Sequence, residues 1–279
     1  MQLIQNFAIL GGDRRQFYLA QQLMRAGFSV ACHQVPGLDD THAGLHDALQ
    51  QAEAVILPMP ALLDGGHIRS AQPLPVEAVR QSLPRGARVF GGLLPEGLFP
   101  EHIQYDYAHD GSLAVQNAAL TAEGALALAL TELPCALSGN SVLVIGFGRI
   151  GTFLAEKLQR LGASVTTACR KQADLGRASA CGYASVRTGR YERGLSQYDC
   201  IFNTVPAPVF TPAQLEQLCC PVFDLASAPG GLPEDTPAPE FWHPAPGLPG
   251  RFAPESAARI LKETILRTLS EEQEALWNP

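Results

Sequence analysis

Residues 141–151 read Ser-Val-Leu-Val-Ile-Gly-Phe-Gly-Arg-Ile-Gly, and this stretch decides the fold. Residues 141–145 are an apolar, largely β-branched run, the pattern of a strand buried on both faces. Gly146, Gly148 and Gly151 follow at the spacing of the three-glycine turn that lets a backbone approach a pyrophosphate and a helix pack on a strand. Ile150, Leu154, Leu158 and Leu161 then recur on one face of a helix, whose free N–H groups and positive dipole end suit phosphates. Gly146, Phe147, Gly148, Arg149, Ile150 and Gly151 are therefore expected to contact a dinucleotide. A glycine-rich structural turn is the alternative.

The next strand bears on which dinucleotide. Residues 163–168 read as a strand that ends at Cys169-Arg170-Lys171. NAD-binding units usually place Asp or Glu here, to accept from the ribose 2′-hydroxyl. Two cations stand here instead, and a guanidinium binds a phosphate with two parallel hydrogen bonds. Arg170 and Lys171 thus favour NADP, unless they merely begin a solvated helix.

The chain has 279 residues, enough for two domains, with 46% hydrophobic and 17% charged residues. A net charge of −7 speaks against general affinity for nucleic acid or anionic membranes. No secretory leader pattern and no membrane-spanning run is read, so the expected location is cytoplasmic. Seven cysteines without CxxC spacing suggest buried, reduced thiols and no metal site. The 22 prolines gather in connections such as 229–249, read as ordered loop rather than helix.

Strands are expected at 6–10, 28–34, 54–57, 88–90 and 103–107, with a helix at 14–26. The alternation continues with a helix at 117–131, whose inner face would carry Ala119, Ala122, Leu126 and Leu130. Strands at 164–168, 200–203 and 221–223 follow, then a helix at 254–269 carrying Ala258, Leu261, Ile265 and Leu269. This is an α/β chain of two Rossmann-like, doubly wound parallel-sheet domains with a cleft between them. The expected boundaries are 1–120 plus the C-terminal helix 253–279 for a substrate domain, and 121–252 for the NADP-binding domain.

Four segments fall where strands end and ligands of open α/β sheets bind. In the first, Gly11-Gly12-Asp13-Arg14-Arg15-Gln16, the arginines suit a carboxylate ligand; equally, Asp13 caps a helix and the arginines are solvated. This turn lacks the three-glycine spacing, so no second dinucleotide is assigned to it. The second holds Asn117, Thr121 and Glu123; a partly buried Glu123 with raised pKa would suit acid–base work. In the third, Asn203, Thr204, Val205 and Pro206 resemble the Asn-Thr/Ala-x-Pro turn of many dehydrogenases, a resemblance that implies a place lining the nicotinamide and its ribose. The fourth pairs residues 224–231, including Ser227, with residues 245–251, in which Arg251 could bind a substrate carboxylate. His243 reads as an ordinary loop histidine rather than a proton carrier.

Taken in order, Gly11-Gly12-Asp13-Arg14-Arg15-Gln16, residues 121–124, 144–151, 201–206, 224–231 and 245–250 resemble the family of dipicolinate synthase A subunits along nearly the whole chain. That resemblance implies oxidation of dihydrodipicolinate to dipicolinate with hydride transfer to NADP, in spore-forming bacteria. It also implies work alongside the B subunit of dipicolinate synthase, in a homo- or hetero-oligomer. A dianionic dicarboxylate calls for cations such as Arg14, Arg15 and Arg251, and Glu123 or Asp13 would serve as the base. Two other readings stay open. A D-2-hydroxyacid-dehydrogenase-like enzyme usually carries an Arg soon after the Asn203-type turn, and none falls between Asn203 and Pro249. A non-catalytic, NADP-binding regulatory subunit would bind the nucleotide without turnover.

Overall fold

The computed structural model describes residues 4–38, 44–191 and 194–277. In chain order the elements begin β1 (Asn6–Leu10), α1 (Arg14–Arg25), β2 (Ser29–His33), α2 (Leu45–Leu49), β3 (Ala54–Ile56), β4 (His67–Ile68) and β5 (Leu74–Pro75). They continue with α3 (Val76–Ser82), β6 (Arg88–Gly91), β7 (Gln104–Asp106), α4 (Gly111–Glu132), β8 (Ser141–Ile145), α5 (Arg149–Arg160), β9 (Ser164–Cys169) and α6 (Gln172–Ala180). Last come β10 (Ala184–Arg187), β11 (Cys200–Asn203), α7 (Pro212–Leu215), β12 (Val222–Asp224), β13 (Trp242–Pro244), α8 (Leu248–Phe252) and α9 (Pro254–Trp277). The chain divides into two compact units, Met1–Asn117 with Ala253–Pro279, and Ala118–Phe252.

The first unit is a five-stranded parallel sheet of order β2-β1-β3-β6-β7. Counted within the sheet this is 2-1-3-4-5, a doubly wound order whose switch point lies between β1 and β3. Alternate residues are buried on both faces. Ala8, Leu10, Val55, Leu57 and Val89 join one core, while Phe7, Ile9, Ile56 and Phe90 are buried opposite. Helix α9 packs on α1, burying Ala258, Leu261, Ile265 and Leu269 as the periodicity predicts. It runs to Trp277, eight residues beyond the expected end, because nothing in residues 270–277 breaks a helix.

The second unit is a six-stranded parallel sheet of order β10-β9-β8-β11-β12-β13. Within the sheet this is 3-2-1-4-5-6, the order of dinucleotide-binding units. Val142, Val144, Phe202 and Phe223 face one core; Leu143, Ile145, Ile201 and Val222 face the other. β13 and the short α8 occupy the proline-rich stretch that the sequence suggested was loop throughout. Pro244 closes an edge strand, where its missing N–H costs no ladder bond.

Helix α4 departs most from expectation. It starts at Gly111, and its buried residues are Leu113, Ala118, Thr121, Ala122, Gly124, Ala125, Leu128 and Ala129, while Leu130 is exposed. With Ala and Leu nearly all round, the period could not single out the inner face. At mean hydropathy 1.3 this helix is long and apolar enough to cross a membrane, contrary to the sequence reading. Its composition has another cause: Ala122, Ala125, Leu128 and Ala129 pack into the core of the second unit. The cysteines are also less uniform than expected. Cys169, Cys200 and Cys220 are buried, but Cys135, Cys181 and Cys219 are exposed.

Candidate functional site

The carboxyl edge of the second sheet gathers most of the candidate cofactor residues. β8 is followed directly by Gly146, which adopts a φ of +97° that side chains avoid. A Cβ on Gly146 would strike the Thr204 hydroxyl, and one on Gly151 would strike the Gly146 carbonyl oxygen. Gly148, by contrast, is exposed and has nothing within 4 Å of where its Cβ would be. The two outer glycines thus permit the turn and the helix–strand packing, and the middle one leaves room for a ligand against the backbone. Gly148 is the N-cap of α5 and supplies no capping side chain, so the N–H groups of the first turn are left to receive a phosphate. These are the features a dinucleotide pyrophosphate requires.

Around this turn, Arg149 is exposed and Ile150 half-buried, while Phe147 is 3% exposed and makes an edge contact with Tyr183. The Arg177 guanidinium of α6 lies 5.0 Å over the Phe147 ring and donates to the Phe147 carbonyl oxygen. Sequence reading missed Arg177. Its signal, an arginine one turn into the helix after β9, is indistinguishable in sequence from a surface residue. Asp174 also holds it, at 3.2 Å.

One neighbour on each side of β8 matters. β9 ends at Cys169, followed by exposed Arg170 and Lys171, the latter in the N-cap position of α6. On the other side β11 ends at Asn203, in register with both Ile145 and Asp224. Here the structure changes the roles expected of two side chains. Asn203 is fully buried; its amide donates to the Asp224 carboxylate at 2.8 Å and to the Val205 carbonyl at 3.0 Å. The Thr204 hydroxyl donates to the Ile145 carbonyl at 2.9 Å. Both polar groups thus tie the turn to the sheet rather than face outward, and Val205 and Pro206 carry its more open surface.

Asp224, which the sequence placed in a loop segment without a role, is the hub beneath this edge. Its carboxylate accepts from Asn203, from the Ala226 N–H at 3.2 Å and from the Gly231 N–H at 2.9 Å. Being 6% exposed, it is satisfied by amides alone. Ser227 is exposed on the loop so fastened. His243 stacks on Phe223 with centroids 5.4 Å apart, as a half-buried strand residue.

Glu123 does not meet the condition set for it. It is an exposed carboxylate, 56% accessible, paired with Lys157 at 3.1 Å. Lys157 lies eight residues along α5 from Arg149, about 12 Å of helix away from the glycine turn. Glu123 therefore has neither the burial nor the position the acid–base argument needed. Arg251 is exposed on α8, stacked over Phe252 at 5.4 Å.

In the first unit, the switch point between β1 and β3 is occupied by the protein's own groups. Asp13 caps α1 in a reciprocal box with Gln16, and its carboxylate binds Arg15 through Nε at 2.9 Å and Nη2 at 2.7 Å. Arg15, 6% exposed rather than solvated, also donates to the Met59 carbonyl at 2.8 Å. Burial works to raise the Asp13 carboxyl, but the hydrogen bond and charge of Arg15 outweigh it and hold the pKa below 3.8. Asp13 is therefore a weak base, matched to Arg15. Arg14 is exposed beside Tyr18 and remains available to an anion. Among the described residues, no group of three His, Cys, Asp or Glu side chains could hold a metal ion.

Two parallel sheets, one of them with the 3-2-1-4-5-6 order, define the class: a Rossmann-like α/β protein with the fold seen in solved structures of a transhydrogenase, an L-alanine dehydrogenase and a D-lactate dehydrogenase. A transhydrogenase structure from Sinorhizobium meliloti superposes with a TM-score of 0.65 at 17% identity, covering 94% of this chain and 92% of that one. Within that class the likeness is to the dipicolinate synthase A subunit. Residues 6–101 match the family model for the N-terminal domain of that A subunit. The dipicolinate synthase A subunit of Bacillus subtilis is 26% identical over 291 residues, covering 95% of this chain and 96% of that protein. The crystal structure of the Bacillus halodurans A subunit matches with a TM-score of 0.78 at 25% identity, covering 96% of this chain and 99% of that one.

Proposed function

We propose that the chain is the A subunit of a dipicolinate synthase and oxidises dihydrodipicolinate to dipicolinate with NADP. The observation that carries the cofactor half is the open backbone at Gly148 flanked by Arg170 and Lys171, with no carboxylate at the end of β9. The substrate half rests on the likeness to the Bacillus proteins. The second unit would hold the nucleotide, and the first unit with α9 would contribute to holding the substrate.

When bound, the nicotinamide supplies the hydride acceptor. The protein's task is then orientation. Gly146–Gly151 would hold the pyrophosphate, Arg170 and Lys171 the adenosine ribose phosphate, and Val205, Pro206 and Ser227 the nicotinamide side, on a turn fixed by Asn203, Thr204 and Asp224. Arg14 and Arg251 are exposed cations that we assign to carboxylate binding. Once hydride leaves a dihydropyridine, the cation that remains becomes a neutral aromatic ring by losing one proton, from nitrogen or carbon according to the tautomer, and aromatisation makes that proton acidic enough to pass to water. Strong bases at Asp13 and Glu123 are accordingly not required, which agrees with the lowered pKa of one and the surface pairing of the other.

We place the enzyme in the cytoplasm of a spore-forming bacterium, assembled with a B subunit. The test generates dihydrodipicolinate enzymatically, adds NADP⁺ or NAD⁺ with and without the B subunit, and follows the pyridine chromophore and the reduced nicotinamide band. Product with NADP⁺ in preference to NAD⁺ supports the reading. Nucleotide binding without product under any of these conditions would favour the regulatory role instead.

A further inference from the structure

The end of β10 brings a cation to the proposed cofactor edge that the strand before it does not account for. Arg187 is the last residue of β10 and lies in register with Cys169, the last residue of β9. Its guanidinium donates to the Arg170 carbonyl at 3.4 Å and to the Gln172 side chain at 3.2 Å. It therefore lies over the turn from Arg170 to Gln172. The following chain turns back at the same place, since the Thr188 N–H donates to the Cys169 carbonyl at 3.1 Å. Beside it runs a groove of about 510 Å³ between α6 and β10, lined by Gln172, Ser179, Ser185, Arg187 and Arg190.

Arg170, Lys171, Arg187 and Arg190 are all exposed, and among the described residues none forms an ion pair. The carboxylate of α6, Asp174, is committed to Arg177. Four like charges at one corner of a sheet repel one another unless an anion joins them. Arg187 donates to two neutral oxygens, which fix the guanidinium plane while leaving further N–H groups for a ligand.

We propose that Arg187 is a specificity-determining residue, the second guanidinium on the adenosine 2′-phosphate alongside Arg170, and that edge strand β10 thereby sets the preference for NADP over NAD. The inference rests on the NADP reading above and adds to it a residue 17 positions further along the chain. It predicts that the preference lies in binding, in the phosphate-bearing half of the nucleotide.

Calorimetry with 2′,5′-ADP and 5′-AMP separates the possibilities, using wild-type protein, Arg187→Ala, Arg187→Lys and Arg170→Ala. The expected result is that wild type binds 2′,5′-ADP the more tightly. Arg187→Ala should lose about tenfold in that affinity with 5′-AMP unchanged, the loss of one charge-assisted hydrogen bond, and Arg187→Lys should lose less. Matching thermal midpoints of the variants would exclude misfolding as the cause. If Arg170→Ala abolishes the preference while Arg187→Ala leaves it intact, this inference is wrong and the NADP reading stands. An equal loss for both ligands in Arg187→Ala would also overturn it, making Arg187 only a support for the 170–172 turn. If wild type does not distinguish the two nucleotides, the NADP reading itself fails.

Discussion

At the scale of single residues, side chains named for chemistry divide into those the structure leaves free and those it commits. Asp13 is committed twice, to the helix start and to Arg15. Because its folded pKa lies below the ordinary 3.8, its contribution to stability is complete above that value and is lost as pH falls through the depressed one. Asp13→Asn should cost about 2 kcal/mol at pH 7, by stranding a buried arginine, and should flatten the acid limb of a stability–pH curve. Urea unfolding between pH 2 and 7 measures both. The thiols divide in the same way. Burial pushes Cys32 and Cys220 up to about 12 and raises Cys169 and Cys200 as well. Iodoacetamide at pH 8 should thus alkylate Cys135, Cys181 and Cys219 in the folded protein and spare the other four, as peptide mass spectrometry would show. Their positions in sequence gave no hint of this division, because burial of a cysteine depends on which helix face meets which sheet.

At the scale of elements, the strand–turn–helix around Gly146 was legible because three constraints follow one another within residues 141–161: a buried strand, a turn with no room for a Cβ at Gly146 or Gly151, and an amphipathic helix. Gly151→Ala should abolish nucleotide binding and lower the thermal midpoint, since the new methyl overlaps the Gly146 carbonyl oxygen; calorimetry and thermal melting would read the two effects. The clasp between β11 and β12 was not legible in the same way. Asn203 reads as a ligand in a turn, yet it is the partner of Asp224, 21 residues away. Asp224→Asn turns an acceptor of three hydrogen bonds into a group that must offer a donor to one of them. A loss of about 3 kcal/mol is expected. Faster amide exchange at Ala226 and Gly231 should accompany it, which NMR would detect. Helix α4 shows the limit of periodicity: Ala and Leu on every side predict a helix but not its inner face.

At the scale of the whole molecule, the division of the chain is itself testable. Residues 118–252 are continuous, whereas the first unit includes α9 from the other end of the chain. Truncation after Phe252 should uncover α1, raise amide exchange throughout residues 6–106 and leave exchange in residues 141–244 largely unchanged. Equal loss of protection in both units would show that they do not fold separately. By itself the sequence determined the α/β class, the position of the glycine turn and the lack of a carboxylate after β9. Each of these is written within one strand and its neighbouring turn, where local sterics and charge suffice. Only the tertiary structure decided that Asn203 serves Asp224, that Glu123 is a surface ion pair, that Arg15 is buried and that Arg187 reaches the turn at Arg170. Those outcomes depend on which strand ends lie side by side, and strand order is set by packing among residues far apart in the chain.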